Sequence, residues 1–264
     1  MIDWRHWHNE PHLIGGLVLL AWLYALATGP LRVRLAPGLP PVPGRVRMAF
    51  YGGLVLFYLA VGSPLDQAGE RFLFSAHMVQ HLILTHLVAI LFILGLPAWL
   101  TDDLPPRSAW VDRPVRLLLN PLVVAIAYNL TLGIWHVPAL YDLALQDRWV
   151  HITEHVTFFG AAVLMWWPVF SRSRRFPPLA PGVQMLYLIG VTILGTPLFA
   201  YLAFSSSVLY PTYEFAPRII AGFTAAQDQL LGAVIMKLGT MAVTFLVLIR
   251  CFYIWYLTSE RKKG

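Results

Sequence analysis

Nine histidines carry most of the chemistry this sequence can do, and they are not scattered. His8 and His12, His77 and His81, and His151 and His155 are each four residues apart. That separation puts two side chains on one helix face, about 6 Å apart along the axis. Random placement of nine histidines predicts about 0.3 such pairs in a chain of this length. Two imidazoles so placed can reach one ion. At about 100° per residue, His77 and His81 point about 40° apart, whereas His86 points about 180° from His77 and reads as a packing residue. Glu154 sits about 60° from His151 on the flank, where a carboxylate can accept an imidazole N–H and fix its tautomer.

A polar side chain within a membrane span is expensive and is kept for a function or satisfied by a partner. His77 and His81 on one helix, with His151 and His155 on another at similar depth, make a four-imidazole coordination set. Imidazole suits zinc, copper, iron and nickel, and thioether sulfur shifts the preference to Cu(I). Met78 and Met236 supply sulfur, so copper is favoured over zinc, with His136 as a further auxiliary ligand or a helix-end cap. Lys237, well inside a span, needs a carboxylate or a bound anion. Of Glu154 and Asp228, the helical wheel favours Glu154 as its partner. His6, His8 and His12 read either as a solvated tail or as a metal-collecting arm. The bland reading makes all these histidines interfacial residues bonded to loop carbonyls. A bis-histidine haem cytochrome, an intramembrane zinc hydrolase with Glu154 as base, and a scaffold without metal are rival readings of the same residues. The hydrolase meets His-x-x-Glu-His where the familiar order is His-Glu-x-x-His.

The elements that must position these residues are membrane helices. Of 264 residues, 58% are hydrophobic and 12% charged, a composition outside the soluble range. At about 20 apolar residues per span the chain holds at most about eight or nine helices, which excludes an attached kinase, ATPase or DNA-binding module. Apolar stretches at 12–28, 46–62, 72–96, 117–135, 149–170, 183–204 and 229–256 predict an all-α, seven-span protein forming a single domain over 1–264. Breakers such as Gly29-Pro30, Pro64, Pro105-Pro106, Pro138 and Pro181 mark the connections. The 19 Lys and Arg against 13 Asp and Glu read as topology rather than nucleic-acid binding. Only Arg5, Arg71, Arg148 and Arg218 fall on one side, and apart from Lys237 the rest fall on the other. The N-terminus is therefore expected outside and the C-terminus in the cytoplasm. A cleavable signal ending near Ala25-Leu26-Ala27 would export Arg32, Arg34, Arg45 and Arg47 against that rule, so the first segment is expected to stay. The single cysteine, Cys251, excludes an internal disulfide and any Cys-x-x-Cys motif.

Several of these residues fall in recognisable order: His77-Met78-Val79-Gln80-His81, Trp135-His136-Val137-Pro138 with Tyr141-Asp142, His151-x-x-Glu154-His155 with Trp166-Trp167, and Asp228-Gln229 with Met236. From about the second to the seventh helix this pattern resembles the caa3-type cytochrome c oxidase assembly factor CtaG family. The resemblance implies a non-enzymatic protein of the bacterial plasma (inner) membrane that helps copper reach haem–copper oxidase subunits, with a periplasmic copper donor as a further candidate partner. It does not extend to the single-span copper chaperone of the same name, which works through cysteines. The N-terminal histidines and Lys237 lie outside the pattern and take no role from it.

Overall fold

The computed structural model describes residues 3–5, 7–103 and 108–261, so His6, Arg107, Lys262 and Lys263 lie outside the described residues. The helices that build the bundle are α1 (Pro11–Thr28), α2 (Gly44–Gly62), α3 (Pro64–Arg71), α4 (Phe74–Gly95), α5 (Pro121–Trp135), α6 (Pro138–Gln146), α7 (Arg148–Phe170), α8 (Pro181–Ala203) and α9 (Ala225–Glu260). Among the described residues there is no strand. Local sequence sets the helix starts. Pro64, Pro121, Pro138 and Pro181 occupy the first helical position, where a missing N–H costs nothing. Asn120, Asp147 and Thr224 accept backbone N–H groups as N-caps of α5, α7 and α9.

Five helices, α1, α2, α4, α8 and α9, are long and apolar enough to cross a membrane. A sixth follows if Ala109–Leu118 and α5, bent by 59° at their junction, count as one span. The bend corrects the stretch expected at 117–135: α5 begins at Pro121, because a proline disfavours helical backbone in the residue before it. At 23 residues α7 is about 34 Å long at 1.5 Å per residue. It is not among the five because Arg148, His151, Glu154 and His155 make its first half polar.

Burial ranks the helices. In α4, 56% of the apolar window is buried, against 11% in α1 and 22% in each of α2, α8 and α9. Helix α4 is therefore the centre of the bundle, and the others turn much of their apolar surface outward. It packs on α9, on α3 at its start, and on α2 and α7 in its second half. One apolar cluster joins the second half of α4 to α5, α7, α8 and α9 around Trp166, Tyr128 and Leu188. A second, aromatic cluster sits at the other end around Phe74, Tyr141, Tyr210 and Tyr213. Helix α4 is not uniform: Ile83–Val88 forms a π-helical turn.

Candidate metal centre

Helix α4 starts without a cap of its own. Asp228, in the first turn of α9, supplies one by accepting from Phe74 N at 2.6 Å and Ser75 N at 3.1 Å. The start of α4, and with it His77, is thereby fixed to α9. On the opposite side α3 lies directly against α4 at Gly69, where a Cβ would stand 3.0 Å from His77 Cα. Across from them the Asp147 cap sets the first turn of α7, accepting from Trp149 N at 2.8 Å and Val150 N at 3.0 Å.

These constraints bring all four expected imidazoles together. Ligand atoms of His77, His151, Glu154 and His155 lie within 4.8 Å of one another. His81 joins them through an approach of 2.5 Å between its Nε2 and that of His77, and its Nε2 stands 3.9 Å from Glu154 Oε1. Ring centroids of His81 and His155 are 5.4 Å apart, and those of His151 and His155 4.2 Å. Glu154 is completely buried, and neither of its carboxylate oxygens has a hydrogen-bond partner among the described residues. His151 Nε2, His155 Nε2 and His81 Nδ1 are likewise buried without one. Buried polar atoms are almost always satisfied, so this concentration of orphan acceptors fits a cation.

The surrounding bonds orient the rings for one. The Tyr213 hydroxyl donates to Gly69 O at 2.7 Å and lies 3.3 Å from His77 Nδ1. Its one hydrogen is spent, so it accepts from His77 Nδ1–H and leaves His77 Nε2 as a lone pair. His151 Nδ1 lies 3.0 Å from Glu70 Oε1, so its N–H points to that carboxylate and its Nε2 is free to ligate. A carboxylate behind an imidazole in this way fixes ring and tautomer and raises ligand basicity.

Residues 22–258 match the cytochrome c oxidase caa3 assembly factor family. The chain belongs to that family. An uncharacterized protein of Mycobacterium bovis and one of Mycobacterium tuberculosis are each 26% identical to it over 183 residues, covering 62% of this chain and 27% of theirs. The chain thus spans about a quarter of the length of these curated relatives. No solved structure matches it.

In this family member the other expected residues go elsewhere. Met78 is buried in the aromatic cluster with Phe74 and Tyr141, close against Gly232 of α9. Lys237 does not pair with Glu154. It donates to Thr192 O at 3.2 Å and to the Thr196 hydroxyl at 2.8 Å, a carbonyl and a hydroxyl at the break in α8 that solvate the ammonium. Met236 and His136 line a cavity of about 60 Å³ together with His81 and Lys237. His12 pairs with Glu10 at 3.2 Å and with Arg148, away from the cluster.

Two acids escape sequence reasoning, although their spacing carries a signal. Asp66 and Glu70 are four apart on the short helix α3, the same one-face separation as the histidine pairs. Glu70 faces His151, and Asp66 accepts from His8 Nδ1 at 2.7 Å and from Gln80 Nε2 at 2.5 Å. His8 N also donates to Gly62 O at 2.8 Å, so the N-terminal arm is fastened over α3. The bond to Asp66 holds the His8 imidazole above its ordinary value, outweighing burial. Burial pushes the Asp66 carboxyl up in turn, against His8. Both shifts keep a proton in the pair. Burial also works to raise Glu70, yet the His151 bond and the charges of His151, His8 and Arg71 hold it below the usual carboxylate range.

Proposed function

We propose that this assembly factor binds a copper ion at His77, His81, His151, His155 and Glu154 and passes it to haem–copper oxidase subunits during their maturation. The observation that carries the reading is the group of ligand atoms within 4.8 Å of one another, with a buried carboxylate that has no hydrogen-bond partner. Ligands of one transition-metal ion sit about 2 Å from it, so modest side-chain rotation closes this group around a single ion. Copper is cargo here. His136 and Met236, beside the cluster, serve as ligands on the way out, and Lys237 and Asp228 hold the scaffold rather than the ion. Imidazole and thioether donors favour copper over harder metals.

The reading includes a topology of seven spans, with the bent pair before Pro138 and the polar helix α7 as the two beyond the five apolar ones. The chain then forms one domain in the bacterial plasma membrane, N-terminus outside and C-terminus cytoplasmic, so the histidines open toward the outer face and a periplasmic donor. A haem between α4 and α7 is disfavoured because the imidazoles of the two helices touch each other, and Tyr141 and Phe158 pack on His77 and His81 at 5.4 and 4.6 Å between ring centroids. The test is metal content after purification from copper-supplied cells. Wild type is expected to retain copper, and His77→Ala with His81→Ala to lose it. Equal copper in both proteins overturns the assignment, and a Soret band would replace it with haem.

A further inference from the structure

The cavity of about 60 Å³ beside the cluster is lined from α4 by His81 and His86, from the end of α5 by His136, from α7 by Met165, and from α9 by Met236 and Lys237. An ideal α-helix turns His86 away from the face that carries His81, since five residues advance it by about 140°. The π-helical turn at Ile83–Val88 changes that. It closes between residues five apart, which brings His86 back toward the side of His81 and onto the same cavity. Both distal imidazoles there are set as bare acceptors. His136 Nδ1 donates to Leu132 O at 2.7 Å. His86 Nδ1 lies 2.9 Å from the Thr85 hydroxyl, whose own hydrogen goes to His81 O at 2.7 Å. Both Nδ1 atoms are therefore protonated, and both Nε2 atoms are lone pairs at the ring tips. His86 and His136 are each only 1% exposed, and neither Nε2 has a partner.

We propose that this cavity is a second metal station, holding a soft monovalent d10 cation of the Cu(I) class through the Nε2 of His86 or of His136 with a thioether from Met165 or Met236. The proposal deepens the copper reading above and rests on it for the role of the ion. The chemistry of the wall selects the charge. Its donors are neutral, no carboxylate lines it among the described residues, and the Lys237 ammonium is part of it. A divalent ion would meet repulsion with no anionic ligand in return, whereas imidazole with thioether is the set that suits Cu(I). His81, with Nε2 in the cluster and its ring on the cavity wall, links the two stations. The cluster with Glu154 holds the ion more tightly, and the neutral cavity holds it loosely enough to release.

The test titrates the purified full chain with Ag(I), a redox-silent stand-in for Cu(I), against a competing chelator, and reads silver coordination by X-ray absorption. Wild type is expected to take two equivalents, the tighter with nitrogen and oxygen neighbours only and the weaker with a sulfur neighbour. His86→Phe or His136→Gln, whichever removes the ligand, should weaken the second equivalent about tenfold or more and leave the first unchanged. A single equivalent in wild type, a second without sulfur, or a second unaffected by both substitutions overturns the proposal. The sulfur readout needs no variant, so a misfolded substitution does not rescue it. If His151→Ala with His155→Ala leaves the tight equivalent in place, the cluster reading fails instead, with the cavity judged separately by its own variants.

Discussion

Replacing Glu154 by Gln should make the metal-free protein more stable and the metal-loaded protein less so. Glu154 is fully buried, and neither carboxylate oxygen has a hydrogen-bond partner. A buried group left in that state costs about 1–3 kcal/mol, more when charged. The amide keeps the volume and adds an N–H that the partnerless imidazole nitrogens beside it can accept, so the metal-free variant should gain about 1 kcal/mol. Metal reverses the sign. At a free metal concentration of 100 Kd a bound ion stabilises the native state by about 2.7 kcal/mol, and a ligand loss that weakens binding about 100-fold cuts this to about 0.4 kcal/mol at the same concentration. The assay is the unfolding midpoint of wild type and Glu154→Gln in mild detergent, with and without Cu(I) or Ag(I). The expected result is a crossing: variant above wild type without metal, below it with metal. If the variant is less stable without metal, Glu154 has a partner the reasoning denies it. If both proteins respond equally to metal, it is not a ligand.

Three further perturbations follow from the surroundings of the cluster. Glu70→Leu removes the carboxylate behind His151 and should weaken metal binding about 10–100-fold while the helical circular dichroism is unchanged; an unaltered metal affinity would count against the orienting role. Gly69→Ala drives a Cβ to 3.0 Å from His77 Cα, and since backbone cannot yield cheaply it should cost about 1–3 kcal/mol and lower metal affinity without removing a ligand, as thermal unfolding and metal titration will read. The His8 imidazole is raised from 6.5 by Asp66, so its contribution to docking the arm is fully present below pH 6.5 and is lost as pH rises through the raised value. Amide protection at residues 7–10, corrected for the intrinsic rise of exchange with pH, should therefore fall above neutrality in wild type, and His8→Gln should flatten that dependence; protection that does not change with pH in wild type refutes the pairing.

Much of the bundle is legible in the sequence because apolar runs and prolines are local signals. The stretches expected at 12–28, 46–62 and 72–96 became Pro11–Thr28, Gly44–Gly62 and Phe74–Gly95. The pairing of His77 with His81 and of His151 with His155 is legible as spacing. Their meeting is not, because it depends on how α4 and α7 pack, and that is set in part by contacts far apart in sequence such as Asp228 on the start of α4. Where the expectation departs from the structure, the causes are local. A wheel of 3.6 residues per turn carries no sign of the π-helical turn at Ile83–Val88, which shifts the rest of α4, although His86 does pack on Trp166 as its position on the wheel implies. An ammonium placed within a span suggests a carboxylate such as Glu154 for Lys237, whereas the half-buried side chain finds a backbone carbonyl and a hydroxyl at the broken helix α8. Asp66 and Glu70 draw no notice in the sequence because α3 lies outside the apolar stretches, yet its acids face the first turn of α7 and the N-terminal arm.

The arrangement of these polar groups explains why they meet between the most buried helix, α4, and the polar first half of α7. A cation site in apolar surroundings works only if its ligands are held before the ion arrives, since ordering long side chains afterwards would consume much of the binding energy. Here the burden falls on bonds directed away from the ion: Tyr213 on His77, Glu70 on His151, and Asp228 on the backbone that carries His77. They leave the inward-facing atoms of the cluster without partners outside it, so the metal-free state carries a standing energetic cost that ligand binding relieves. On the copper reading proposed above, a site so strained without its ion captures strongly, and release then needs somewhere less charged for the ion to go. In the two-station proposal the neutral donors around His86 and His136, one side chain away through His81, are such a place, and the cluster and the cavity form two parts of one path.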